Sequence, residues 1–193
     1  MSLTVKQTNK LAEVYSDIHK EIIEKSKIGN KKAQYQLYQL YSKAMFNICY
    51  RMMNNREEAE DILQEAFSET FHRLNSFRFE SSFGAWLKRI VVNKCINELK
   101  RKKAELVLYE NINHFDYVEE ETKGYEDKLT IKNVQNAIEQ LPEGYRVVFS
   151  LYLLEGYDHS EISEILGVSE STSKTQYMRA KNKIKQILKT QMS

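Results

Sequence analysis

From Ser171 to Arg179 the chain sets out Ser171, Thr172, Lys174, Thr175, Gln176 and Arg179, with no acid after Glu170. Small hydroxyls, an amide and cations suit phosphate oxygens and base edges in a major groove. The residues before them read as the element that holds them. Asp158 can cap a helix, and Glu161 three residues on completes a capping-box pattern. Ile162, Ile165 and Leu166 repeat at helical spacing as a buried stripe. Gly167 stands where a helix ends in a left-handed residue, Val168 plugs the angle, and Ser169 caps a second helix. This is the geometry of a DNA-binding helix-turn-helix. The competing reading is a helical hairpin with a solvated basic end. The coincidence of apolar plug, glycine and basic helix favours DNA.

A second constellation lies upstream. Phe77, Arg78, Phe79, Ser82 and Phe83 fall in a stretch that breaks helical periodicity. By default the three rings are core plugs; on exposed bases each would contribute roughly 1–3 kcal/mol of stacking. Ser82 can cap the helix that follows to about Lys103, with Trp86, Leu87, Ile90 and Val91 facing inward. Lys88, Arg89, Lys94 and the run from Lys100 to Lys103 project outward. Aromatics beside a basic helix favour single-stranded or melting DNA.

Composition bounds the rest. Net charge is only +2 over 193 residues, so distribution matters more than total. Seven cations oppose one acid from Lys88 to Lys103, eight acids oppose Lys123 from Glu105 to Asp127, and six cations close the chain from Lys174. Two basic blocks flanking an acidic strip suggest two nucleic-acid surfaces with something different between them. His19, His72, His114 and His159 are scattered and form no convergent set for catalysis. Cys49 and Cys95 lack a ligand cluster, so they read as buried, reduced thiols without a metal, and no cofactor is implied. No apolar run approaches transmembrane length and no signal-peptide core opens the chain, so no membrane insertion and a cytoplasmic protein are expected.

With one proline and six glycines the chain reads as all-α. Helices are predicted over residues 16–27, 31–53, 56–76, 82–103, 128–140 and 143–154, before the opening pair. In 31–53 the expected buried face is Leu37, Leu40, Tyr41, Ala44, Met45 and Ile48. In 56–76 Ala59, Ile62, Leu63, Ala66, Phe67, Thr70, Phe71 and Leu74 step by three and four. Asp61, Gln64, Glu65 and Ser68 occupy the polar face beside that stripe. Solvation is the plain reading of such a face; docking a basic partner helix is the sharper one. The expected organisation is an N-terminal tail (1–15), a first helical domain (16–104), an acidic linker (105–127) and a second helical domain (128–193).

Together these pieces resemble the extracytoplasmic-function group of bacterial RNA polymerase sigma factors, within the sigma-70 family. Asp61-Ile62-Leu63-Gln64-Glu65 resembles its Asp-aliphatic-aliphatic-Gln-Glu signature. Phe77 to Leu87 is similar to its aromatic loop and Trp-Leu helix, and Leu141 to Phe149 to the start of its fourth domain. The resemblance implies sigma region 2 and sigma region 4 domains. Asp61, Gln64, Glu65 and Ser68 would then dock on the beta-prime clamp helices of core RNA polymerase, with the beta subunit a further partner. Phe77, Arg78, Phe79, Ser82, Phe83, Lys88, Arg89 and Lys94 would bind and open the minus-10 element of promoter DNA. Ser171, Thr172, Lys174, Thr175, Gln176 and Arg179 would read the minus-35 element. An anti-sigma factor is a further implied partner, and the acidic linker would occupy a cationic path in polymerase that RNA later takes. Two departures stand out. The family often has Gly-Thr-Val-Lys-Ser-Arg where Ser171 to Gln176 stands, which alters the expected minus-35 sequence. Asn97-Glu98-Leu99-Lys100 stands where Asp-x-x-Arg is common. A polymerase-independent helix-turn-helix regulator, whose front helices dimerise or sense a signal, is the alternative; it leaves the aromatic loop and the acidic strip unexplained.

Overall fold

The computed structural model describes residues 19–107 and 130–192. The acidic stretch from 108 to 127 and Ile18 lie outside the described residues. The chain divides into two compact units, Met1–Ile96 and Asn97–Ser193, with the division inside a helix. Among the described residues all regular structure is helical.

In the first unit α1 covers residues 19–27, followed by α2 (Lys31–Met53), α3 (Arg56–Arg73), a 3-10 turn (Leu74–Ser76) and α4 (Phe83–Val107). Local chemistry sets the breaks. Asn30 accepts from the Ala33 amide at 3.1 Å and starts α2. Asn54 closes α2 in the left-handed region (φ 55°), and Asn55 caps α3 by accepting from the Glu58 amide. Ser82 caps α4 by accepting from the Ala85 amide at 3.2 Å. α3 buries the expected stripe from Ala59 to Leu74, with Phe71 half-exposed. α2 is rotated from expectation: Leu40 is half-exposed and Ala44 exposed, while Ala33, Cys49, Met52 and Met53 join Leu37, Met45 and Ile48 inside. α2 packs against α3, and its buried residues, from Ala33 and Leu37 to Met52 and Met53, define the side it turns inward. Cys49 and Cys95 are both buried and free, and the neighbouring Cys49 thiol with burial pushes Cys95 far up, so it stays protonated.

The second unit contains α5 (Ile131–Glu139), α6 (Glu143–Phe149), α7 (His159–Leu166) and α8 (Glu170–Met192). α8 is the hub against which α5, α6 and α7 pack. Ala137, Ile138, Leu141, Phe149, Ala180 and Ile184 form the core. Thr130 caps α5, and Pro142 begins α6, where its missing N–H costs no helix bond. Residues Ser150–Leu154 continue α6 as a π-helical turn instead of the expected α-helix. The widened turn keeps Ser150 and Leu151 buried while Tyr152, Leu153 and Leu154 face out. The Asp158–Glu161 capping box is complete, and Ser169 caps α8 by accepting from the Thr172 amide. Ile162 is buried; Ile165, Leu166 and Val168 are half-buried.

Gly167 ends α7 at φ 70°, and nothing lies within 4 Å of the position a Cβ would take. Gly167→Ala therefore meets no clash and costs only backbone strain, about 1 kcal/mol. Native-state hydrogen exchange should show that loss in α7 and α8; wild-type protection would contradict the assignment of the turn.

Candidate functional site

Three surfaces carry the predicted residues. On α3, Asp61, Gln64, Glu65 and Ser68 are all exposed along one side, opposite the buried stripe. They are held out because Ile62, Leu63, Ala66 and Phe67 fix the rotation of the helix. Lys94 of α4 reaches this side and lies 3.3 Å from both Glu65 and Glu69. Burial pushes the Lys94 ammonium down, but its bonds to the two carboxylates outweigh that and leave its pKa raised. Glu69 is held below the usual carboxylate range, first by its hydrogen bond from Arg73 at 2.8 Å. The structure thus brings together Glu65 and Lys94, which sequence placed on separate surfaces. An open groove between α2 and α3 adjoins the face through Gln64 and includes Phe46, Arg56 and Glu60.

The second surface is the loop between α3 and α4. Phe77 and Phe83 are buried, packed on each other at 5.6 Å and on Trp86 at 5.2 and 5.8 Å. Tyr41 closes on Phe83 at 5.1 Å, and Gly84 permits this: a Cβ there would lie 3.1 Å from the Tyr41 ring. Phe77 and Phe83 are therefore core plugs and offer no face to a base, which corrects their place in the predicted minus-10 set. The stacking partner left is Phe79. It is half-exposed, in the left-handed region at φ 61°, with its ring 4.8 Å from Phe77. Lys27 of α1 sits over that ring at 4.6 Å and Lys20 at 5.9 Å. These two lysines carry no signal in the sequence, because only the fold brings α1 to the loop. Arg78, Ser82 and Arg89 are exposed, and Lys88 and Lys94 half-exposed. Trp86 is half-buried at the edge of the cluster.

The third surface is α8. Ser173, Ala180 and Ile184 are buried, and Tyr177 is half-buried. Ser171, Lys174, Thr175 and Arg179 are exposed, and Thr172 is half-buried with its hydroxyl 2.8 Å from Ser169. Gln176 is half-buried. Its amide lies over the start of α6, where a Cβ on Gly144 would be 3.5 Å from its Oε1. His159 at the start of α7 bonds Ser173 Oγ at 2.9 Å and stacks on Tyr152 at 4.3 Å. No group of His, Cys, Asp or Glu among the described residues could hold a metal ion, and no described helix is long and apolar enough to cross a membrane.

Two family models match this arrangement: sigma-70 region 2 over residues 37–105 and sigma-70 region 4 over residues 131–184. The extracytoplasmic-function (ECF) RNA polymerase sigma factor SigW of Bacillus subtilis is 31% identical over 180 residues, 88% of this chain and 96% of that one. The chain belongs to the ECF sigma factors. The ECF sigma factor SigM of Mycobacterium tuberculosis is 28% identical over 160 residues, 83% of this chain and 79% of that one. In fold, the chain is similar to the sigma factor RpoE from Bartonella quintana, crystallised with the anti-sigma factor NepR. That match has a TM-score of 0.53 at 21% identity and covers 80% of this chain and 96% of that one. This sigma factor thus carries the aromatic loop within its region 2 match and the helix-turn-helix within its region 4 match.

The burial difference inside the loop is measurable. Phe77→Ala should destabilise the first unit by about 3–5 kcal/mol, as expected for a core ring. Phe79→Ala should cost far less, because the substitution also makes no left-handed strain worse. Urea unfolding followed by fluorescence of the sole tryptophan, Trp86, distinguishes them; equal losses would contradict the burial assignment.

Proposed function

We propose that this sigma factor works through three residue sets. Asp61, Gln64, Glu65 and Ser68 dock on the basic clamp helices of the beta-prime subunit of core RNA polymerase. Phe79 captures an unpaired minus-10 base, and Arg78, Ser82, Lys88, Arg89 and Lys94 of the loop and α4 hold the adjacent backbone. α8 lies in the major groove of the minus-35 duplex, and its exposed cations meet phosphates. The chain supplies no catalytic group and needs no cofactor; polymerase does the chemistry. It acts in the cytoplasm, and an anti-sigma factor restrains it, as NepR is bound to the Bartonella sigma factor. The beta subunit is a further contact.

The observation that carries the reading is Phe79. It is one of two non-glycine residues with positive φ among the described residues, and strain of this kind persists where surrounding structure over-determines it. Phe77, at 4.8 Å, and Lys27, at 4.6 Å, pack on the ring, three residues before the Ser82 cap of the basic helix α4. A pre-placed ring offsets part of the unstacking cost of a few kcal/mol that extruding a base requires.

Two tests separate docking from opening. Asp61→Lys combined with Gln64→Ala reverses charge on exposed positions, so helical circular dichroism should stay unchanged. Binding to core polymerase should weaken by about tenfold or more; wild-type affinity in the double variant would sink the docking assignment. Phe79→Ala should leave closed-complex binding intact and slow open-complex formation, and a template pre-melted over the minus-10 element should restore activity. A variant equally impaired on the pre-melted template would show that Phe79 does something other than assist opening.

A further inference from the structure

The exposed stripe of α8 contains a residue of a type unlike the rest. Ser171, Lys174, Thr175 and Met178 fall at helical spacing on one side, and all four are exposed. Met178 has 55% of its surface exposed, and from Glu170 to Thr190 the other exposed residues of the helix are polar or charged. Its position cannot be exchanged for a buried one by rolling the helix. Ser173, Ala180 and Ile184 are buried on other sides, and the His159–Ser173 bond with the Tyr152, His159 and Tyr177 rings pins the rotation.

Side chains on a helix lean toward its N-terminus, so Met178 covers the turn formed by Lys174 and Thr175. That turn lies in the part of α8 that reaches base edges. The polar groups there are already engaged: Thr175 Oγ1 donates to Ser171 O at 2.9 Å, and Lys174 pairs with Glu170 at 2.6 Å. The side chain on this stripe that offers only apolar contact is the thioether. In a major groove the one apolar feature of a base edge is the C5-methyl of thymine, and methionine, unbranched and polarisable, adapts to it.

We infer that Met178 is a specificity-determining residue of the minus-35 readout, its terminal methyl and sulfur packed on the C5-methyl of a thymine in the major groove. This rests on the reading that α8 enters the minus-35 duplex. The neighbouring Lys174, Arg179 and Lys181 are exposed cations, which favours a nucleic acid over an apolar protein surface as the partner of this side.

The test uses holoenzyme, made from core polymerase and the full chain, on a promoter selected from a library randomised across the minus-35 region. Each minus-35 thymine on either strand is replaced in turn by deoxyuridine, which removes the methyl and keeps base pairing. Wild-type holoenzyme should bind about fourfold more weakly at one such position, the worth of one buried methyl-sized group. Met178→Ala, an exposed change to a strong helix former, should bind the thymine duplex with a similar loss and be indifferent to deoxyuridine there. Met178→Leu should retain the methyl sensitivity. Transcription by wild-type holoenzyme from the unmodified promoter verifies the underlying reading separately. Given that transcription, a flat deoxyuridine response overturns the Met178 assignment alone. So does a Met178→Ala variant with an undiminished deoxyuridine penalty. A loss of core-polymerase affinity in that variant, with methyl sensitivity unchanged, would assign Met178 to a protein contact and also overturn the proposal.

Discussion

The structure depends on helix rotation fixed by burial of one side. α3 keeps Ile62, Leu63, Ala66, Phe67 and Thr70 inside, and α8 keeps Ser173, Ala180 and Ile184 inside. Each buried stripe leaves a defined set of polar side chains facing out, and those outward sets are the surfaces proposed to bind polymerase and DNA. Burying a Leu or Phe side chain stabilises by about 1.5–3 kcal/mol, far more than an exposed ion pair such as Arg56–Glu60 contributes. The interior therefore decides the rotation, and surface charges only decorate it. Thr70 and Ser173 show how polar groups are admitted: the Thr70 hydroxyl donates to the Ala66 carbonyl, and Ser173 pairs with His159.

The loop at Phe79 is the exception, since no helical ladder determines it. A left-handed residue with a bulky side chain costs roughly 1–2 kcal/mol. Aromatic packing on Phe77 returns about 0.5–1.5 kcal/mol, and a cation over the ring returns a similar amount when partly desolvated. Lys27 is such a cation, with only 16% of its side chain exposed. The strain is thus nearly balanced by contacts, which suits the opening role proposed for Phe79.

Much of this was legible in the sequence because capping is local. Asn55, Ser82, the Asp158–Glu161 pair, Gly167 and Ser169 act within four residues of themselves, so a short window reveals them. The stripe of α3 was legible for the same reason. The three phenylalanines of the loop were not separable, because a loop has no period from which to read facing; packing by Trp86 and Tyr41 decides it. Leu40 has helical spacing to the core yet is exposed, because the rotation of α2 is set by the residues it buries, Leu37, Met45, Ile48 and Cys49 among them. Gln176, expected at the DNA face, is half-buried with its amide near Gly144, a placement set by tertiary packing. Met178 has no distinguishing signal in the sequence, and only its exposure in the fold marks it. The π-helical turn at Ser150–Leu154 has no cue in residue type.

As a sigma factor, this chain directs polymerase rather than acting on promoters by itself. The most direct measurement is run-off transcription from a linear duplex promoter by purified core RNA polymerase, with and without the full chain. A transcript from one start site is expected only when the chain is added, together with promoter binding that requires core polymerase. Specific promoter binding by the chain alone, with no transcript when core polymerase is supplied, would contradict that expectation.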